Sequence, residues 1–134
     1  MQTSADLGKL VLRLTLGVLT LLHGIAKIGA GVGGIAGMLG KAGLPPLLAY
    51  GVYVGEVLAP ALLIVGLWTR PAALVVAVNM FMAIALAHAA EVGQLSRTGG
   101  WALELQGFFL FTAIAVALLG AGRFSVGGAN GRFN

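Results

Sequence analysis

Twenty-two consecutive residues, from Leu47 to Trp68 (LLAYGVYVGEVLAPALLIVGLW), carry a single charge, Glu56. At about 1.5 Å per residue a helix of that length crosses a hydrocarbon core of roughly 30 Å. A carboxylate near the midpoint is costly if ionised and unpaired. Glu56 must therefore face protein, meet a cation on another helix, or hold a proton. One turn on, Pro60 lacks the N–H that would bond the Glu56 carbonyl, so side chain and backbone offer polar groups at one level. Gly51, Gly55 and Ala59 form a ladder of small residues along which a second helix can approach.

The rest of the chain has the same character: 134 residues, 59% hydrophobic, 9% charged, with 22 glycines. This is the composition of an all-α integral membrane protein, a single domain over residues 1–134. Hydropathy predicts a bundle of four transmembrane helices near residues 10–28, 47–68, 72–90 and 101–119. Gly29 to Pro46 is too short and glycine-rich to span. It reads as a short interfacial or re-entrant helix between the first two spans. The net charge of +4 is scattered along the chain, which excludes a nucleic-acid surface. Without cysteine there is no disulfide and no iron–sulfur cluster, so any redox role borrows its electron carrier. The string Gly31-Val32-Gly33-Gly34 imitates a dinucleotide loop, but no strand precedes it and no nucleotide site is expected.

Along the chain, Met1 to Gly8 reads as a polar leader in which Ser4 or Asp6 caps the first helix. In the first span Arg13, Gly17, Thr20, Gly24 and Lys27 fall within about 40° of one line, with His23 about 80° to one side. Lys27 reads as a snorkelling residue at the helix end, whereas Arg13, deeper in, is placed to reach toward Glu56. In the third span Asn79 and His88 lie on opposite faces of a regular helix, and His88 is one turn from Glu91. In the fourth, Trp101 is an interfacial anchor, and Glu104, Phe108, Phe111 and Ala115 share a face that could wall a flat apolar ligand. The tail beyond Ser125 is expected to lack order.

Lys9, Arg70, Arg123 and Arg132 fall on one side of such a bundle, against Lys27, Lys41 and Arg97 on the other. Both termini are thus expected in the cytoplasm. Counted from the opposite side, His88 and Glu104 lie about one turn deep, His23 about one and a half, and Glu56 about two and a half. These groups are expected to converge on an outward-opening cavity, with Arg13 reaching Glu56 from below. Histidine and carboxylate beside an apolar pocket are the groups that bind and protonate a quinone, and quinone is the expected ligand. The candidate ligand-binding residues are Arg13, His23, Glu56, His88, Glu104, Phe108 and Phe111. No metal site is expected, and the two histidines are too shallow to predict a haem. A transporter or channel lined by Arg13, Glu56 and His23 is the alternative, and a structural assembly partner the third reading. Glycine ladders leave faces that a second copy can fill, so a homo-oligomer is among the expected partners, with the bilayer itself.

The order of Arg13 and Gly17, His23-Gly24 with Lys27-Ile28, Gly43 and Pro45, Glu56, Gly66-Leu67 with Thr69-Arg70, Met80 and Met82, His88 and Glu104 resembles the DoxX family, related to the DoxD subunit of thiosulfate:quinone oxidoreductase. The resemblance runs from Arg13 to about Val126. It includes the closing Gly120-x-Gly122-Arg123-Phe124-Ser125-Val126, after which Gly127 stands where the family usually carries an aspartate. The resemblance implies a four-helix protein of the bacterial inner membrane, associated with quinone-linked oxidation and a redox protein partner.

Overall fold

A computed structural model describes the whole chain, Met1–Asn134. It is helical: α1 is Gln2–Ala30, α2 Gly33–Lys41, α3 Pro46–Val65, α4 Thr69–Ala87 and α5 Glu104–Leu119. Three of these, α1, α3 and α4, are long and apolar enough to cross a membrane. The fourth long apolar segment, α5, has only 16 helical residues.

Burial follows the logic of a lipid-solvated bundle. Many of the residues packed inside are small or polar, among them Gly17, Gly24, Ala59, Ala73, Ala113, Arg13, Thr20 and Glu56, while Val11, Val18, Leu22, Ile25, Phe81, Phe108 and Leu118 face outward. Lipid tails are as apolar as leucine, so large aliphatic side chains are free to face outward, and close helix contact favours small ones. The main core joins Leu16 of α1, Leu63 of α3, Val76 and Met80 of α4, and Phe109 and Val116 of α5. A satellite cluster of Val32, Leu39 and Ala49 packs α2 against the start of α3 and against Leu86 of α4.

Helix α3 is not uniform. It opens with a 3-10 turn at Pro46–Tyr50 and widens into a π turn at Val54–Leu58, directly followed by Ala59 and Pro60. Pro60 can neither donate to the Glu56 carbonyl nor fit beside it in a regular α turn, and one extra residue per turn relieves the clash. The π turn thus puts Glu56 at a place where the helix is already irregular. Gly24 makes room for it: a Cβ there would collide with the Glu56 carbonyl. Gly55 does the same for α4, because its Cβ would lie 2.7 Å from the Asn79 side chain. Gly51, by contrast, faces open space and brings no helix near.

Several boundaries differ from the sequence expectation. The leader is helical from Gln2, without a side-chain cap, and Asp6 is buried at 2% exposure beside Arg123, 3.6 Å away. Thr69-Arg70-Pro71 is the first turn of α4 rather than a loop, since a proline that early costs no intrahelical bond. The helix then ends at Ala87, not at residue 90. Trp101 lies outside α5: it bridges to Leu95 and donates its indole N–H to the Val92 carbonyl at 2.7 Å, folding the connector onto itself.

The tail is ordered by backbone and side-chain hydrogen bonds. Val126 and Gly127 donate to the carbonyls of Val65 and Gly66 at 2.9 and 3.0 Å. Asn134 accepts from the Thr69 amide at 3.1 Å and donates to the Gly66 carbonyl at 3.0 Å. The glycines that made this stretch look disordered allow its backbone to lie against the α3–α4 turn.

Candidate functional site

Glu56 is 4% exposed, and its carboxylate is fully engaged. Lys27 Nζ lies 2.7 Å from each carboxylate oxygen, and Asn79 Nδ2 donates to Oε1 at 3.0 Å. The cation and the amide come from α1 and α4, so three helices meet at this one side chain. Coulomb attraction and charge-assisted hydrogen bonds offset the loss of hydration, which neither group could bear alone in a bilayer.

Arg13 does not reach it. Its Nη1 donates to the carbonyls of Leu63 and Ile64 at 2.8 and 3.0 Å, and its Nη2 to the carbonyl of Phe124. The expectation of an Arg13–Glu56 pair is therefore corrected. Leu63 and Ile64 precede the break at Gly66, where helix-end carbonyls lack intrahelical donors, and a rigid five-donor fork serves them better than a distant carboxylate. Lys27, which a snorkelling reading sent to the surface, is the true partner. It lies on the same line of α1, two turns beyond Thr20.

Beside the ion pair is a cavity of about 180 Å³ between α1, α3, α4 and α5. Its polar lining is Thr20, His23, Lys27, Glu56, His88 and Gln106, and its apolar walls include Met80 and Phe109. His88 enters this cavity although Asn79, nine residues earlier, contacts Glu56 from the other flank. The helix has ended by then, and the φ of −130° at His88 takes the residue off the helical line. Its Nδ1 is 3.3 Å from the Glu91 carboxylate, which orients the ring. His23 packs edge-on to Phe109 with ring centroids 5.6 Å apart.

The cavity shares part of its wall with a groove on the surface. His23, Leu105 and Phe109 also line an apolar groove of about 340 Å³, completed by Leu19, Leu22 and Ala26, on the outer surface between α1 and α5. Across the Glu56–Asn79 contact is a second apolar groove of about 410 Å³ between α2, α3 and α4, which Asn79 lines.

The structure thus brings together His23, Glu56 and His88 from the sequence-derived set, and adds Lys27, Asn79, Thr20 and Gln106. It does not bring Arg13, Glu104, Phe108 or Phe111 to them. The last three share a face, as their spacing requires, but that face looks outward: they line a separate cleft with Trp101, and Phe108 and Phe111 are 71% and 63% exposed. Helical spacing sets which residues share a face and leaves open which way the face turns. Gln106, two positions from Glu104, is the α5 polar residue that turns inward.

A DoxX family model matches residues 8–89 of this chain. The chain is also 30% identical, over 121 residues, to a Bacillus subtilis (strain 168) protein named "Putative oxidoreductase CatD", an alignment that covers 90% of this chain and 85% of that one. No solved structure gives a significant match.

Proposed function

This chain belongs to the DoxX family of membrane proteins, and from that premise we propose that it is a lipophile-binding subunit of a membrane-associated oxidoreductase system, with a quinone as its ligand. The carrying observation is that His23, Leu105 and Phe109 line both a polar cavity and an apolar groove on the lipid-facing surface. A void of about 150 Å³ accepts one benzene-sized ring. The cavity, at about 180 Å³, has room for one such ring and little more. A hydrocarbon tail attached to it would lie along Leu19, Leu22 and Ala26. In this reading Gln106 and His23 hydrogen-bond the ring oxygens and Lys27 supplies positive charge, while His88, oriented by Glu91, exchanges protons with the outer surface.

The helices stand in the inner membrane with both chain ends in the cytoplasm, α5 as a fourth, short span and α2 at the outer interface. Lys9, Arg70, Arg123 and Arg132 then lie at the cytoplasmic end. A conduit is disfavoured because the residues meant to line it are split: Arg13 is tied to the carbonyls of Leu63, Ile64 and Phe124 and is absent from the cavity that His23 and Glu56 line.

The test is equilibrium binding of a decyl-substituted 1,4-benzoquinone to the purified protein in detergent. His23→Ala and Gln106→Leu are each expected to weaken it about fivefold or more while helix content is retained. Unchanged binding in both would remove the cavity from the site.

A further inference from the structure

Asn79 is the eleventh of the nineteen residues of α4, near the middle of a membrane span. Its amide has two ends, and the protein uses one of them. Nδ2 donates to Glu56 Oε1 at 3.0 Å; a carboxylate paired with Lys27 through both oxygens can only accept, so the amide nitrogen must be the end that faces it. The carbonyl oxygen, Oδ1, is thereby turned away from Glu56. It accepts no hydrogen bond from the protein and, unlike the hydroxyl of Thr20, it is not sealed from its surroundings. Asn79 is absent from the polar cavity. The open space that it borders is the apolar groove of about 410 Å³.

That groove follows α4 from Leu74 to Leu86, about 18 Å along the axis. Ile35 and Leu39 of α2 and Gly51 of α3 also wall it, and Asn79 is the one polar side chain in its lining. A void of about 150 Å³ accepts a benzene ring, so this groove has room for a ring and an alkyl chain. An acyl chain lying there would leave Oδ1 without a donor in hydrocarbon, which is costly. A phospholipid headgroup cannot supply the donor, because Asn79 stands at mid-span, far from either interface. The occupant that satisfies the oxygen is an apolar molecule able to carry one hydroxyl into the membrane interior. We propose that the groove is a second ligand site, separate from the polar cavity, for a lipophile bearing a hydroxyl, an alkylphenol in its simplest form, whose O–H donates to Asn79 Oδ1. This site does not depend on the quinone reading of the cavity.

The experiment measures equilibrium binding of para-octylphenol and of its methyl ether, para-octylanisole, to the purified protein in detergent, each net of partitioning into protein-free micelles. The ether keeps the apolar body and lacks the donor, so the unsubstituted protein is expected to bind the phenol about fivefold tighter or more. Asn79→Leu is expected to remove that preference. Gly51 has a φ of −59°, which any residue adopts, and a Cβ there meets nothing. Gly51→Leu is therefore expected to fill part of the groove and weaken phenol binding about fivefold or more with the Tm unchanged, whereas His23→Ala, in the polar cavity, leaves it within about twofold. Equal affinity for phenol and ether overturns the proposal, as does a preference that persists in Asn79→Leu. Phenol binding that Gly51→Leu leaves intact, or that His23→Ala abolishes, overturns it too, since the hydroxyl is then held elsewhere. The comparison of the two ligands and the Gly51→Leu variant decide the matter even where Asn79→Leu fails to fold.

Discussion

The two cations along one face of α1 are satisfied in opposite ways. Arg13 and Lys27 are fourteen residues apart, about 21 Å along the axis. Arg13, at 1% exposure, is bound only to backbone carbonyls, two from the end of α3 and one from the tail. Lys27, with a side chain 34% exposed, is bound to a carboxylate that is itself shared with a third helix. Backbone carbonyls cannot be protonated or swung aside, so the Arg13 contact fixes geometry. A lysine–carboxylate pair at the edge of a cavity can exchange partners with a ligand. One end of the same helix face is built as a clamp, and the other is, in the proposed function, the site.

That contrast breaks most visibly at the clamp. Arg13→Met removes the donors of three carbonyls that join α1 to the α3–α4 turn and the tail. The expected loss is about 3–5 kcal/mol, seen as failure to purify a folded protein or as a large drop in Tm. Arg13→Lys keeps the charge but not the planar fork, and is expected to recover only part of it. A Tm for Arg13→Met equal to that of the parent would show that the clamp does no structural work.

At the site end the next largest effect is expected from Glu56→Gln, which leaves Lys27 without its counter-charge. Because Lys27 is partly exposed, and can turn toward water, the cost is discounted to about 1–3 kcal/mol. Lys27→Met combined with Glu56→Leu is expected to regain most of that loss, since an apolar pair suits a membrane interior at least as well as an ionic one. Thermal denaturation of the two single variants and the double variant in detergent measures the coupling. A double variant as unstable as the sum of the singles would show that the two charges do not act as a pair.

How far this difference could be read in advance depended on the kind of information each residue needed. Glu56 was legible because its cost depends only on depth, and depth follows from counting residues. The stripe on α1 was legible because it is periodic, and the structure buries that face. Partner choice was not. Arg13 and Lys27 lie on one line, and the close approach of Gly24 to the Glu56 carbonyl sets Glu56 at the level of α1 one turn from Lys27. His88 reaches the cavity as expected, though by leaving a helix that ends at Ala87, while Glu104, Phe108 and Phe111 were misplaced by knowing their shared face without its direction. The tail looked disordered because glycine content speaks to backbone freedom, whereas its order comes from the long-range bonds of Asn134.

The smallest expected effect sharpens the comparison most. Asn79 gives Glu56 one hydrogen bond of 3.0 Å while Lys27 holds both oxygens at 2.7 Å, so Asn79→Leu removes a neutral donor from a carboxylate that stays paired. The expected cost is about 1 kcal/mol. The packing change is partly offsetting, because leucine suits the apolar groove that Asn79 lines on its other flank, beside Val75, Val78 and Met82. If the site end is built to tolerate adjustment, Asn79→Leu keeps its fold with a Tm only a few degrees lower, and Arg13→Lys, the comparably mild change at the clamp, falls further. The opposite ranking would mean that the amide of α4, rather than the lysine of α1, holds the carboxylate in place, and that rigidity in this bundle is not confined to the end where Arg13 binds carbonyls.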